Sequence, residues 1–161
     1  MRLEEIKQLL LIWGMPSDRG IKELKAAIKE DKELSIFVPE MRPYLLGLEI
    51  VKIFQRQGIP HIYGTDNMLG LLFYKRKIKE TIFFYKSVNK KVFSGICGSL
   101  YVCLLSALHH VPIRTLKGGE INLTSLAKDA SSLNGYIFLK NQGAAIEAKD
   151  EDVPWEIIKP E

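Results

Sequence analysis

Hydrophobic positions in this chain follow two rhythms, helical spacing and short unbroken runs, which alternate from end to end. Leu3, Ile6, Leu9, Leu10 and Trp13 sit at helical spacing and predict a helix over residues 2–13. "GMPSDRG" interrupts it, and Ser17 or Asp18 caps a second helix through about Glu30, with Ile21, Leu24, Ala27 and Ile28 facing inward. "LSIFVP" (Leu34 to Pro39) reads as a strand bounded by charge and proline. Pro43 suits the first turn of the next helix, which runs to about Gln57, stops at Gly58 and turns Leu46, Ile50, Ile53 and Phe54 inward. "HIYGT" is the following strand, and Asp66 caps a helix through Tyr74. "TIFFYK" (Thr81 to Lys86) is a third strand, Gly98 to His110 a long helix, and "PIRTLK" a fourth strand. Leu123 to Leu133 reads as helix and "GYIFLK" as a fifth strand; the tail is irregular, with a short helix at Pro154.

Short apolar strands, each followed by a helix, describe βαβ units on a parallel sheet. Right-handed crossovers then make the fold class α/β, with a mainly parallel, doubly wound sheet. At 161 residues the expectation is a single domain over 1–161, residues 1–33 forming an N-terminal helical lead-in. Ligands of such sheets lie outside the carboxyl ends of the strands. The candidate rim therefore comprises Glu40/Arg42, Thr65/Asp66/Asn67, the loop Ser87 to Ser99, and Lys117/Gly118/Gly119.

Composition adds exclusions. Hydrophobic residues make up 47% of the chain, which excludes a disordered protein. A net charge of +4 says only that the surface leans basic. The basic residues cluster in one run, with Lys75, Arg76, Lys77, Lys79, Lys86, Lys90 and Lys91 against Glu80 alone, a pattern usual for a solvated face. Cys97 and Cys103 lie six apart on different helical faces, so neither a disulfide framework nor a CxxC metal pair follows. No apolar run approaches the roughly 18 residues a membrane span needs. Met1 leads into Arg2, Glu4 and Glu5 rather than an apolar signal core, so the expected address is cytoplasmic.

Candidate chemistry is thin. "SGICGS" (Ser94 to Ser99) opens the long helix, where free N–H groups form an anion site and Gly95 and Gly98 allow close approach. The same glycines serve tight helix–sheet packing equally well. Asp66 and Asn67 suit a ribose or a phosphorylated sugar, and a plain N-cap also explains Asp66. Arg42 either forks onto a phosphate or pairs with Glu40 across the turn. His109 and His110 read as helix-terminal cations rather than metal ligands. Between Glu80 and Glu120 there is no Asp or Glu, and GxSxG, HExxH, GxGxxG and Walker signatures are all missing.

"PEMRPYLLGLEIVKIFQRQGIPHIYGTDNM", followed by "CGSLYVCLLSALHHVPI", resembles the carboxy-terminal domain of methylthioribose-1-phosphate isomerase. That domain is shared with ribose-1,5-bisphosphate isomerase and the regulatory alpha, beta and delta subunits of initiation factor 2B. Glu40, Arg42, Pro43 and Gly47 match the family's first motif; Gly58, Ile59, Pro60, Thr65, Asp66, Asn67 and Met68 match the second; Gly98, Ser99, His109, His110 and Pro112 match the end of the third. "DVPWEII" is similar to the family's closing stretch. The likeness covers roughly residues 34–113. It implies a three-layer Rossmann-like domain that dimerises and, in the enzymes, binds a phosphorylated pentose. Isomerisation there uses a cysteine from an earlier segment and an aspartate in a G-A-D-R stretch. Here residues 1–33 contain no cysteine, the stretch corresponds to Tyr85-Lys86-Ser87-Val88 with no acid, and the asparagine–lysine pair falls on Gly95-Ile96, with Asn89-Lys90 upstream as the alternative, displaced equivalents.

The leading expectation is a non-catalytic, dimerising relative with a weak phosphate- or nucleotide-binding rim at Glu40, Arg42, Thr65, Asp66, Asn67, Gly95, Gly98 and Ser99. No cofactor and no metal are expected. The partners expected are a second copy in a homodimer and a phosphorylated small molecule, with no membrane. The second reading is an aldose–ketose isomerase with Asp66 as proton-transfer base and Arg42 as phosphate clamp. The third is an RNA- or ribosome-associated protein binding nucleic acid through Lys75–Lys91.

Overall fold

The computed structural model describes residues 1–122 and 133–159. Five strands form one parallel sheet: β1 (Gln8–Trp13), β2 (Leu34–Pro39), β3 (His61–Gly64), β4 (Ile78–Tyr85) and, after a short hairpin and a helix, β7 (Ile113–Lys117). Their order is β3-β2-β1-β4-β7, with every pair parallel, as in Leu10↔Ile36, Ile12↔Ile82 and Phe83↔Thr115. The fold is α/β and Rossmann-like, as the alternating pattern predicts. The chain winds outward from β1 to β3 and then returns to the far side of β1, so the switch point lies between β1 and β4.

The helices are α1 (Asp18–Glu30), α2 (Leu46–Arg56), α3 (Met68–Tyr74) and α4 (Ser99–Leu108). Successive strand residues face opposite sides of a sheet, and β4 shows which helix covers which. Gly20 of α1 lies against the Phe84 ring, whereas the Ser106 hydroxyl of α4 lies 2.8 Å from that of Thr81. Thus α1 and α4 cover opposite faces, and α3 packs beside α4. The core is built on β1, where Leu9, Leu10, Leu11, Ile12 and Trp13 are all buried.

Three expectations need correction. Residues 2–13 form a 3-10 turn (Leu3–Glu5) and then β1, not a helix. Five consecutive apolar residues fit a strand covered on both faces, and the helical spacing within them was a by-product of an unbroken run. The lead-in thus supplies the central strand. "GYIFLK" lies in helix α5 (Leu133–Asn141), where Tyr136 and Ile137 pack on Leu45 and Lys140 pairs with Glu147 at 2.6 Å. A run this short satisfies either period, and its packing against a loop rather than the sheet decides for helix. Finally, α2 begins at Leu46 rather than Pro43. Residues 42–45 form a turn, with Met41 and Leu45 in left-handed backbones and the Arg42-Pro43 peptide cis. The predicted helix over Leu123 to Leu133 falls almost wholly outside the described residues.

A second, antiparallel sheet was not foreseen. Its strands β5 (Ser87–Val88), β6 (Val92–Gly95) and β8 (Glu151–Pro154) run in the order β5-β6-β8, and helix α6 (Trp155–Ile158) follows. Phe83, Phe93, Cys103, Val153 and Ile158 join it to the parallel sheet through a small core of their own. No helix among the described residues is long and apolar enough to cross a membrane.

Candidate functional site

Three of the four predicted loops meet. Asp66 follows β3 and reaches the turn after β2, where its two oxygens accept the backbone N–H groups of Met41 (2.8 Å) and Arg42 (2.9 Å). It is therefore a clamp between loops and not the side-chain cap of α3, whose N-cap position is Asn67 with no capping bond. Thr65 and Asn67 flank it, exposed, and the Thr65 carbonyl accepts the Met68 N–H. Arg42 Nε donates to Glu40 at 2.9 Å, the pairing across the turn that the spacing allowed.

The Gly95–Ser99 loop lies over the end of β1. Gly98 has a left-handed backbone (φ +89), and a Cβ there would come within 2.3 Å of the Trp13 ring. Gly95 is similarly pressed against Phe83, so both glycines permit close packing on the sheet. Ser99 is buried, its hydroxyl donating to the Ile96 carbonyl at 2.6 Å. The N-terminus of α4 already holds an anion of the chain's own. The Glu151 carboxylate accepts the N–H groups of Gly98 (2.8 Å) and Leu100 (3.0 Å), and no sequence motif pointed to it. Only "DVPWEII", whose first residue follows Glu151, marked that segment.

Arg42, Cys97 and Glu151 line one cavity of about 730 Å³, with Tyr136 and the 146–149 segment on its far wall. Lys117, Gly118 and Gly119 stand apart from it. The Lys117 ammonium donates to the Lys86 carbonyl, the Gly118 N–H to Tyr85, and the Gly119 N–H to Met15. Burial pushes the Asp66 carboxyl up, against the pull of its two backbone donors. Burial, with the charge of Glu151 beside it, also pushes the Cys97 thiol up, so it is not poised as a thiolate. The Arg42 guanidinium is raised by its bond to Glu40. Among the described residues no group of three or more His, Cys, Asp and Glu has a metal-holding arrangement.

The basic run does not make one patch. Lys75 to Lys79 lie at the start of β4 and Lys86 to Lys91 beyond its end, about 23 Å away at strand rise. Lys79 pairs with Asp31 and Lys86 with Asp150.

An open parallel sheet flanked by helices, with a cavity where its loop tips gather, defines a doubly wound α/β domain. The chain belongs to the Initiation factor 2 subunit family, whose model matches residues 8–115. It is 30% identical over 92 residues to the methylthioribose-1-phosphate isomerase of Sulfurihydrogenibium sp. (strain YO3AOP1), covering 55% of this chain and 27% of that protein. Its fold is similar to the delta subunit of the translation initiation factor eIF-2B from A. fulgidus, with a TM-score of 0.70 at 17% identity, over 96% of this chain and 52% of that one. It is also similar to a chain of the tetrameric eIF2B-beta2-delta2 complex from C. thermophilum, with a TM-score of 0.56 at 15% identity, over 97% and 51%. The chain thus spans about a quarter of the curated relative and half of these structural neighbours.

Proposed function

We propose that this chain is a non-catalytic, dimerising member of its family that keeps a weak phosphate-binding rim. The carrying observation is that the carboxylates of Glu40, Asp66 and Glu151, gathered near the loop tips, are each occupied by the protein itself, as is Glu147, which lines the cavity and pairs with Lys140. Glu40 holds Arg42, Asp66 holds the Met41–Arg42 backbone, and Glu151 holds the start of α4. A proton-transfer acid must be free to reach substrate, and the nearby thiol is held neutral. An incoming phosphate would compete with Glu151 for the helix N–H groups, leaving Arg42 as its main attraction.

Dimerisation is supported by the outer side of α3 and α4. Met68, Leu71 and Tyr74 on one helix and Tyr101, Leu104 and Leu108 on the other are large, apolar and exposed. A two-fold assembly buries the same patch from both copies. The subunit complex among the structural neighbours agrees with such assembly.

Sedimentation should give a dimer that Tyr101→Glu with Leu104→Glu converts to a folded monomer. Ribose 5-phosphate should raise the melting temperature, by an amount equivalent to about 2.7 kcal/mol at a hundredfold excess over Kd, and Arg42→Ala should abolish the rise. A monomeric wild type would remove the scaffold reading. The raised Asp66 carboxyl favours the rival isomerase. Turnover of a phosphopentose that disappears in Asp66→Asn while binding persists would establish it.

A further inference from the structure

The small antiparallel sheet and α6 border a second, open groove of about 690 Å³, which shares no residue with the cavity at Arg42 and Glu151. Its walls are three aromatic rings. Phe93 meets Tyr85 edge-on at 5.1 Å between centroids and lies 4.7 Å from Trp155 at a tilt. Trp155 is fixed at both ends, its indole N–H donating to the Asn89 carbonyl at 3.0 Å and its backbone N–H to Lys91 at 3.1 Å. Cations stand around these rings. Lys159 lies 4.7 Å from the Trp155 ring centroid, Lys117 lies 5.8 Å from that of Tyr85, and Lys90 lines the groove. Among the described residues no carboxylate lines it.

Rigid aromatic faces beside unopposed ammonium groups recognise a planar, electron-rich ring that carries negative charge. Every nucleobase offers a face to stack on, and its phosphate offers charge to lysine. The volume falls within the range of small-ligand sites. An acidic peptide would satisfy the lysines and leave the rings without a partner, so charge and shape together favour a nucleotide. Of the basic run, Lys90 lines the groove, whereas Lys75 to Lys79 lie at the other end of β4.

We propose that the groove between hairpin β5–β6 and helix α6 binds a nucleotide unit, its base against Trp155 and Tyr85 and its phosphate between Lys90 and Lys159. The unit comes from a free mononucleotide or from a single strand of RNA. Trp155 reports directly, because Trp13, the other tryptophan, is buried in the core. The wild-type chain is titrated with AMP, UMP, octauridylate and a polyglutamate of matched charge while tryptophan emission is followed. Nucleotides should quench the emission and polyglutamate should not. A strand that binds at least roughly tenfold tighter than the mononucleotides identifies RNA as the source, and equal affinity identifies the free nucleotide. For RNA, one phosphate held between the two lysines gives a slope near −0.7 in log affinity against log salt.

Lys90→Glu with Lys159→Glu, both exposed positions, should weaken binding roughly tenfold or more. Trp155→Phe, followed by anisotropy of a labelled strand, should weaken it with the salt slope unchanged. Lys75→Glu, at the other end of β4, should leave it intact, which ties binding to this groove rather than to basic charge at large. No quenching by any nucleotide at about 0.1 mM, the weak limit of non-specific binding, would overturn the proposal. So would equal binding of polyglutamate, or affinity indifferent to the lysine reversals.

Discussion

The middle of β1 and the turn at its neighbour's end lie on adjacent strands yet are held by opposite means. Leu9 to Ile12 are buried in the main apolar core and are held by packing and the backbone ladder. Residues 40–42 are fixed by carboxylates on backbone N–H groups and by a salt bridge, with Met41 in a left-handed conformation. The strand depends on volume, and should accept other hydrophobes of equal size. The turn, whose Met41 is also buried, depends on polar acceptors as well and should fail when one is removed.

The largest expected effect is in the strand. Leu11 is fully buried, paired in register with Phe37 on β2 and Thr81 on β4. Leu11→Ala removes packed volume from one face of the sheet and should lower unfolding free energy by about 2–5 kcal/mol. Leu11→Met should cost less than about 1.5 kcal/mol. Urea unfolding followed by circular dichroism measures both, and equal losses would mean that shape is not what the strand demands.

Asp66 probes the turn, with a smaller effect. Asp66→Asn keeps the size and withdraws one acceptor from the Met41–Arg42 backbone, costing roughly 1–3 kcal/mol. Its pH dependence carries a sign. Burial raises the folded carboxyl above 3.8, so the native state holds the proton more tightly than the unfolded chain. The stability this contributes is fully present below 3.8 and is lost as pH rises through the folded value. The advantage of wild type over Asp66→Asn should therefore shrink with rising pH across that window. Melting curves from acid to neutral pH decide it: an advantage that grows would mean that the backbone donors outweigh burial.

The same contrast explains what was legible. Helix α1 declared itself through Ser17, whose hydroxyl accepts the Gly20 N–H, and through an inward stripe at the right period. β2 and β7 stood out between charged and turn residues. β1 misled because continuous burial erases the alternation that distinguishes strand from helix. At the rim, pairings between near neighbours, Glu40 with Arg42, could be proposed from spacing. The Asp66 bonds span 25 and 24 residues, and Glu151 lies 53 residues from Gly98, distances over which only the fold determines contact. The groove at Trp155 was hidden for the same reason: β8 and α6 return to a hairpin more than 60 residues earlier.

Glu151 gives the smallest and most local of these effects. It acts at a distance as an N-cap, so Glu151→Ala should cost about 0.5–2 kcal/mol, in the range of lost caps, with Glu151→Gln recovering part of it through its amide oxygen. The informative readout is chemical. Burial is the larger cause of the raised Cys97 thiol and would persist in both variants, but the neighbouring negative charge would be gone. Alkylation of Cys97 by iodoacetamide should accordingly begin at lower pH in Glu151→Gln than in wild type. Cys103, buried and pushed up to about 12, should stay silent in either protein. An unchanged alkylation profile would show that the carboxylate faces only the helix N–H groups, and that the α4 terminus absorbs its charge before the thiol can sense it.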